Sequence, residues 1–185
     1  MLNGSPKGNY SITLQTIHYL SKNYPEHSFE ILNVGQKIKS LEKDFTEATK
    51  VIAQAQVLLF SYPVYTFVAP CQLHRFIELL KQADLDLAGK FATQLTTSKH
   101  FYDITAHRYI QDNCCDLKLK YVRGLSADMD DLLTEKGQNE AKAFFEYLCW
   151  SVENDCCEPV STQESVCAHI PATVPKARKK RTAMW

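Results

Sequence analysis

The chain has 185 residues, 21 basic against 21 acidic side chains, 45% hydrophobic residues and 11% aromatics. These values exclude wholesale disorder, and zero net charge excludes a nucleic-acid binder driven by its overall field. No apolar run approaches the roughly 18 residues of a membrane-spanning helix, and the opening MLNGSPKGNYS lacks a signal peptide's apolar stretch, so a soluble, cytoplasmic protein is expected.

The charge is unevenly spread. Up to Asp155 there are 16 basic and 19 acidic residues, and from Cys156 onward 5 basic and 2 acidic. Zero charge is therefore a cancellation. It divides the chain into an expected domain over 1–155 and a basic, poorly ordered C-terminal tail over 156–185. The run Lys176 to Arg181 reads as a solvated end or linker, or as a contact for nucleic acid or anionic lipid. Seven cysteines are present, with Cys114-Cys115 and Cys156-Cys157 adjacent, and none forms a C-x-x-C pair. Such spacings are what zinc and iron–sulfur sites use, so free thiols, no metal and no cluster are expected.

In chain order, Met1 to Asn3 is all that is available for a strand before the first helix, and that strand is expected to be clipped. Ile12, Leu14, Ile17 and Leu20 line one helix face. Phe29 to Val34 reads as a strand and Phe45 to Ala55 as a helix. Val57 to Tyr62 is a continuous apolar run, as for a strand buried on both faces. Cys71 to Lys81 follows as a helix, Phe91 to Thr97 as a strand, Ile104 to Leu117 as a helix and Tyr121 to Ala127 as a strand. Leu132 to Trp150 closes the body as a helix with Ala141, Phe144, Phe145, Leu148 and Cys149 in register. Regular alternation implies crossover units: an α/β fold with a doubly wound, five-stranded parallel sheet and helices on both faces.

In such sheets ligands bind at the carboxyl ends of the strands, where strand order reverses. The loop Asn3 to Thr13 carries glycines, asparagines and hydroxyls that can wrap N–H and O–H donors around an anion at a helix start, with Lys7 its only cation. It matches neither G-x-x-x-x-G-K-[ST] nor G-x-G-x-x-G; a capped helix start is the alternative reading. The loop Tyr62 to Pro70 is stiffened by prolines and offers Tyr65 and Phe67 as flat faces for a planar ring, or as caps on the core. The loop Thr96 to Asp103 places hydrogen-bonding groups at a third strand end.

NGSPKGNYSIT, followed about fifty residues later by YPVYTFVAPCQLHRFIE, resembles the flavodoxin-like NAD(P)H-dependent FMN reductase and iron–sulfur flavoprotein superfamily. The resemblance implies strand order 2-1-3-4-5 and a bound FMN. It implies that Ser5, Lys7, Asn9, Ser11 and Thr13 hold the phosphate. Pro63, Val64, Tyr65, Thr66 and Phe67 would lie along the isoalloxazine, and Thr97, Ser98 and His100 would meet its pyrimidine edge. It further implies an oxidoreductase that passes electrons from NAD(P)H through flavin to a small acceptor or protein partner, with a homodimer completing the site. The iron–sulfur cysteine cluster is missing from this chain. The rival readings are a flavodoxin-type electron-transfer module of a larger redox protein and a flavin-free structural or interaction domain.

Other combinations are set aside on spacing. Cys71 and Arg75 are too close for a tyrosine-phosphatase loop; Cys71 is expected to pack and Arg75 to reach the surface. Asp103 is expected to cap the helix that follows it, and His100 and His107 to play structural roles. The run Asp128, Asp130, Asp131 and Glu135 suits a surface loop and helix start.

Overall fold

The structure, a computed structural model, describes residues 1–99 and 102–159. His100, Phe101 and the basic run of the tail lie outside the described residues. A parallel sheet is built from β1 (Leu2–Asn3), β2 (Val57–Pro63), β3 (Phe91–Ser98), β4 (Lys120–Tyr121) and β5 (Leu125–Asp128). β1 pairs with β2, β2 with β3, and β3 with both β4 and β5. β2 and β3 are buried along nearly their whole length, β2 through its apolar run and β3 with Thr93, Gln94, Thr96 and Thr97 buried beside Phe91, Ala92 and Leu95.

On the far side of β1 the expected strand Phe29 to Val34 is reduced to a single parallel bridge, Leu2 to Leu32. Strand formation stops there because Val34 already opens a helix that the sequence reading did not anticipate, α2 (Val34–Leu41). Of the implied order, the neighbours β1–β2, β2–β3 and β3 with β4 and β5 are hydrogen-bonded ladders, and the expected strand Phe29 to Val34 joins β1 only through this bridge.

The fifth expected strand, Tyr121 to Ala127, is divided. Phe91 faces Lys120, but Leu95 faces Leu125, so the edge chain gains one residue against β3 and bulges between β4 and β5. Gly124 lies in that bulge, where a Cβ would run into Gln94.

The other helices are α1 (Ile12–Asn23), α3 (Thr46–Gln54), α4 (Cys71–Gln82), α5 (Ile104–Asp116) and α6 (Glu135–Glu153). Alternation along the strands divides the core into two layers. Leu58, Phe60 and Tyr62 of β2 pack against Leu73, Phe76 and Ile77 of α4 and Ala106 and Ile110 of α5. Leu59, Phe91 and Leu95 pack against Leu14, Ile17 and Leu20 of α1 and Phe144, Phe145 and Leu148 of α6. Thr134 caps α6 by accepting from Gly137 N (3.0 Å). Beyond Asp155 the chain turns onto the sheet edge, where Glu158 N donates to Tyr121 O (2.7 Å).

Candidate functional site

From β1 the chain passes to the bridge at Leu32 on one flank and then to β2 on the other. The loops leaving β1 and β2 therefore diverge and open a crevice at the carboxyl ends of the strands. The loops after β3 and β5 border the same end.

The first loop is a rigid polar turn. Asn3, fully buried, donates from Nδ2 to Gly8 O (3.0 Å) and to Asn33 Oδ1 (2.8 Å), and its Oδ1 accepts from Ser5 N (3.2 Å). Asn33 Nδ2 donates in turn to Asn9 Oδ1 (2.7 Å). Gly8 takes φ +55, which lets its carbonyl accept from both Asn3 and Ser11 N. Ser5 is buried with Oγ accepting from Lys7 N (3.3 Å), while Lys7 and Asn9 are exposed.

Ser11 occupies the N-cap of α1 in extended geometry, but its side chain does not cap. Its Oγ is buried without a hydrogen-bond partner, beside the free N–H groups that begin a helix. Two residues on, Thr13 Oγ1 meets Thr97 Oγ1 at 2.6 Å and ties the first turn of α1 to the end of β3.

The second loop begins with Val64 N donating to Thr97 O (3.0 Å) and closes as a two-residue turn, with reciprocal bonds between Tyr65 and Val68 of 3.0 and 3.2 Å. Thr66 and Phe67 take φ +48 and +72, positive at both central positions as in the mirror-image hairpin turn, yet neither is glycine, asparagine or aspartate. The turn holds Tyr65 and Phe67 in solvent, and Phe67 meets Tyr102 edge-on with centroids 5.5 Å apart. These rings form an aromatic rim above the ends of β2 and β3; Tyr10 of the first loop is 88% exposed.

Under the third loop Thr97 and Ser98 are buried, and Ser98 Oγ has no partner. Asp103 stands at the N-cap of α5, but its carboxylate does not perform the expected capping. It faces inward, where Thr96 Oγ1 lies 3.1 Å from Asp103 Oδ2 and 2.8 Å from His107 Nε2. A buried carboxylate needs a donor, so the Thr96 hydroxyl donates to Asp103 and His107 Nε2–H donates to Thr96. Gln94 extends the network, donating from Nε2 to His107 O (3.0 Å) and to the Tyr121 hydroxyl, and accepting from Tyr62 OH (2.6 Å). Burial lowers the His107 pKa; Asp103 opposes the shift and Arg123 adds to it.

A cavity of about 230 Å³ opens beside this end between α1, β5 and α6, with Ile12, Thr97, Ala127 and Ala141 in its wall. Elsewhere, Cys71 is exposed at the start of α4 instead of packing, because the first residue of that helix projects past the core. Arg75 reaches the surface and pairs with Glu42 (2.7 Å) and Glu78 (2.8 Å).

The structure thus brings Ser11, Thr13, Pro63, Val64, Thr97 and Ser98 to one crevice and holds Tyr65, Thr66 and Phe67 above it. Ser5 and Asn9 serve the loop's internal bonding, Lys7 stays in solvent, and His100 lies outside the described residues. Asn33, Tyr10 and Tyr102 were not anticipated. The two tyrosines were readable as aromatics flanking the polar loops, whereas Asn33 was hidden within an expected strand.

These features define a flavodoxin-like α/β fold with a polar crevice at its switch point. No protein-family model matches the chain, and no curated protein matches its sequence. Solved structures share the fold. An NADH:FMN oxidoreductase superposes with a TM-score of 0.61 at 20% identity, over 79% of this chain and 87% of that one. An FMN-dependent NADH-azoreductase from Bacillus anthracis, in complex with FMN, gives 0.59 at 16% over 82% and 97%. A flavodoxin from Streptococcus pneumoniae gives 0.60 at 15% over 81% and 97%.

Proposed function

We propose that residues 1–155 form an FMN-binding unit and that the protein is an NAD(P)H-dependent flavin oxidoreductase. The observation that carries this reading is that two of the four buried, unpartnered serine hydroxyls among the described residues, those of Ser11 and Ser98 (the others are Ser61 and Ser126), border the crevice. Ser11 stands at the N-cap of α1 and Ser98 at the end of β3, two positions linked by the Thr13–Thr97 hydroxyl bond. An orphaned buried hydroxyl costs stability unless a ligand engages it.

The residues present suit FMN. The Ser11 hydroxyl and the first N–H groups of α1 offer donors to a phosphate, Lys7 adds a cation at the loop's outer edge, and Ser5 and Asn9 shape the turn. Tyr65, Thr66 and Phe67, on the base set by Pro63 and Val64, offer an apolar edge to a tricyclic ring. Thr97 and Ser98 supply polar groups to its heterocyclic side. Bound FMN would supply the redox chemistry, taking a hydride from a reduced nicotinamide and passing electrons to a small acceptor or protein partner. The chain's own part is to bind and orient: the loops fix the ring, the rim excludes water from one side, and the open side admits the nicotinamide.

Purified protein mixed with FMN should bind it, with a shifted flavin absorbance spectrum and quenched fluorescence, and should then oxidise NADPH or NADH. FMN bound without nicotinamide oxidation would favour a flavodoxin-type carrier, and no binding would leave a flavin-free domain.

A further inference from the structure

The end of α5 and the chain beyond α6 meet at the β4 edge. Cys115 is the penultimate residue of α5, and the helix ends in an immediate reversal in which Lys118 N donates to Cys115 O (2.9 Å) and Leu119 N to Cys114 O (2.9 Å). The reversal returns the chain as β4, so Lys120 and Tyr121 run beside the helical turn that carries Cys114 and Cys115. The segment after α6 closes on the same edge through two anchors. Lys120 Nζ pairs with Asp155, and Glu158 N donates to Tyr121 O (2.7 Å). Cys157 lies between those anchors.

The four cysteines of this corner are not equivalent. Cys114 is fully buried in the core and Cys156 directs its Sγ to Asn154 O (3.5 Å), whereas Cys115 is half-buried and Cys157 exposed. The hydrogen bonds from Leu119 N to Cys114 O and from Glu158 N to Tyr121 O, with the Lys120–Asp155 pair, bring the segments of Cys115 and Cys157 to one edge. Burial first, then the Asp112 and Asp116 carboxylates, raise the Cys115 thiol pKa. A disulfide asks for Cα atoms roughly 4.4–6.8 Å apart, which only directly apposed segments provide.

We propose that Cys115 and Cys157 are a modification site: a thiol pair that a low-molecular-weight disulfide such as oxidised glutathione converts into an intramolecular disulfide. The exposed Cys157 thiolate attacks the small disulfide, forms a mixed disulfide and releases one glutathione thiolate. Cys115 then loses its proton to solvent, and its sulfur attacks the Cys157 sulfur and expels the second glutathione. One disulfide is broken and one formed, the protein loses two hydrogens, and the glutathione disulfide is reduced to two thiols. The raised Cys115 pKa makes the second step the slower one near neutrality and quickens it as pH rises. The product staples the chain after α6 to α5, fixing the point from which the basic C-terminal sequence departs.

The test uses the full chain incubated with oxidised glutathione, alkylated, and digested without reductant. A Cys115–Cys157 linked peptide should be the main cross-link, be lost on reduction and be missing from Cys115→Ser and Cys157→Ser. The thermal midpoint of the wild type should rise on oxidation, and that of Cys157→Ser should not. Glutathione retained on Cys157, or Cys157 joined to Cys156 or Cys167, would overturn the proposal. Because Cys157 is exposed, its variant supplies the control even if Cys115→Ser does not fold.

Discussion

Thr13 and Thr97 join their hydroxyls at 2.6 Å across 84 residues of sequence, and both are buried. This bond fastens the first turn of α1, which Ser11 precedes as N-cap, to the end of β3, where Ser98 stands, so these two unpartnered hydroxyls are held in a fixed relation. The crevice is thus braced from within by the threonines beside its open donors.

Replacing one threonine leaves the other's hydroxyl buried and unpaired, which costs about 1–3 kcal/mol. Thr13→Val and Thr97→Val should each lose that much in urea unfolding. The double variant, with both polar groups gone, should lose less than the sum of the two. Additive losses would mean that the hydroxyls do not interact.

His107 makes stability depend on pH. Its folded pKa is lowered below the ordinary value of 6.5, chiefly by burial. Below 6.5 the unfolded chain therefore binds more protons than the folded one, and stability is lost as pH falls through that value toward the folded pKa. His107→Gln removes this contribution. Its thermal midpoint should fall less than the wild type's between about pH 7 and pH 5; an equal fall would assign the acid sensitivity to other groups.

The turn after β2 stores strain that can be relieved. Thr66 is β-branched and sits at φ +48, a conformation that asparagine tolerates far better. Thr66→Asn should stabilise the protein by about 1 kcal/mol in urea unfolding. Phe67→Ala should instead give little change in unfolding, since the ring is half in solvent, and a several-fold weaker FMN complex.

The contrast between these residues shows what the sequence could and could not reveal. Val57 to Tyr62 was readable as a buried strand because apolar burial on two faces leaves a continuous run, Phe91 to Thr97 as a strand candidate bounded by Gly89, and the helix stripes on α1, α4 and α6 follow from their period. α2 was missed although Val34, Ile38 and Leu41 are helically spaced, because the apolar FEILNV before it extended into its first residue and Gly35 weakens the helix signal. The bulge at Gly124 depends on Gln94 of a neighbouring strand, and the inward turn of Asp103 depends on Thr96 and His107. Such facts arise from tertiary contact and leave no local pattern. The same holds for the orphaned Ser11 and Ser98 hydroxyls, identical in sequence to any capping or strand serine.

Gly35 gives the sharpest test of how the loop after β1 is held. Glycine within a helix is ordinarily about 1 kcal/mol worse than alanine, so Gly35→Ala would stabilise a free-standing helix. Here a Cβ at position 35 would fall inside contact distance of the backbone of Gly4 and Ser5, which cannot swing aside as a side chain would. Overpacking of that kind costs about 1–3 kcal/mol, enough to reverse the propensity gain. Gly35→Ala should therefore destabilise the protein and, by pushing the loop off α2, weaken FMN binding tenfold or more. Gly89 is the control, because it takes φ +82 with no heavy atom near its would-be Cβ and lies at the opposite end of the sheet. Gly89→Ala should cost stability through backbone strain alone and leave FMN affinity unchanged. If the two variants weaken FMN in parallel, global stability and not loop position governs the site.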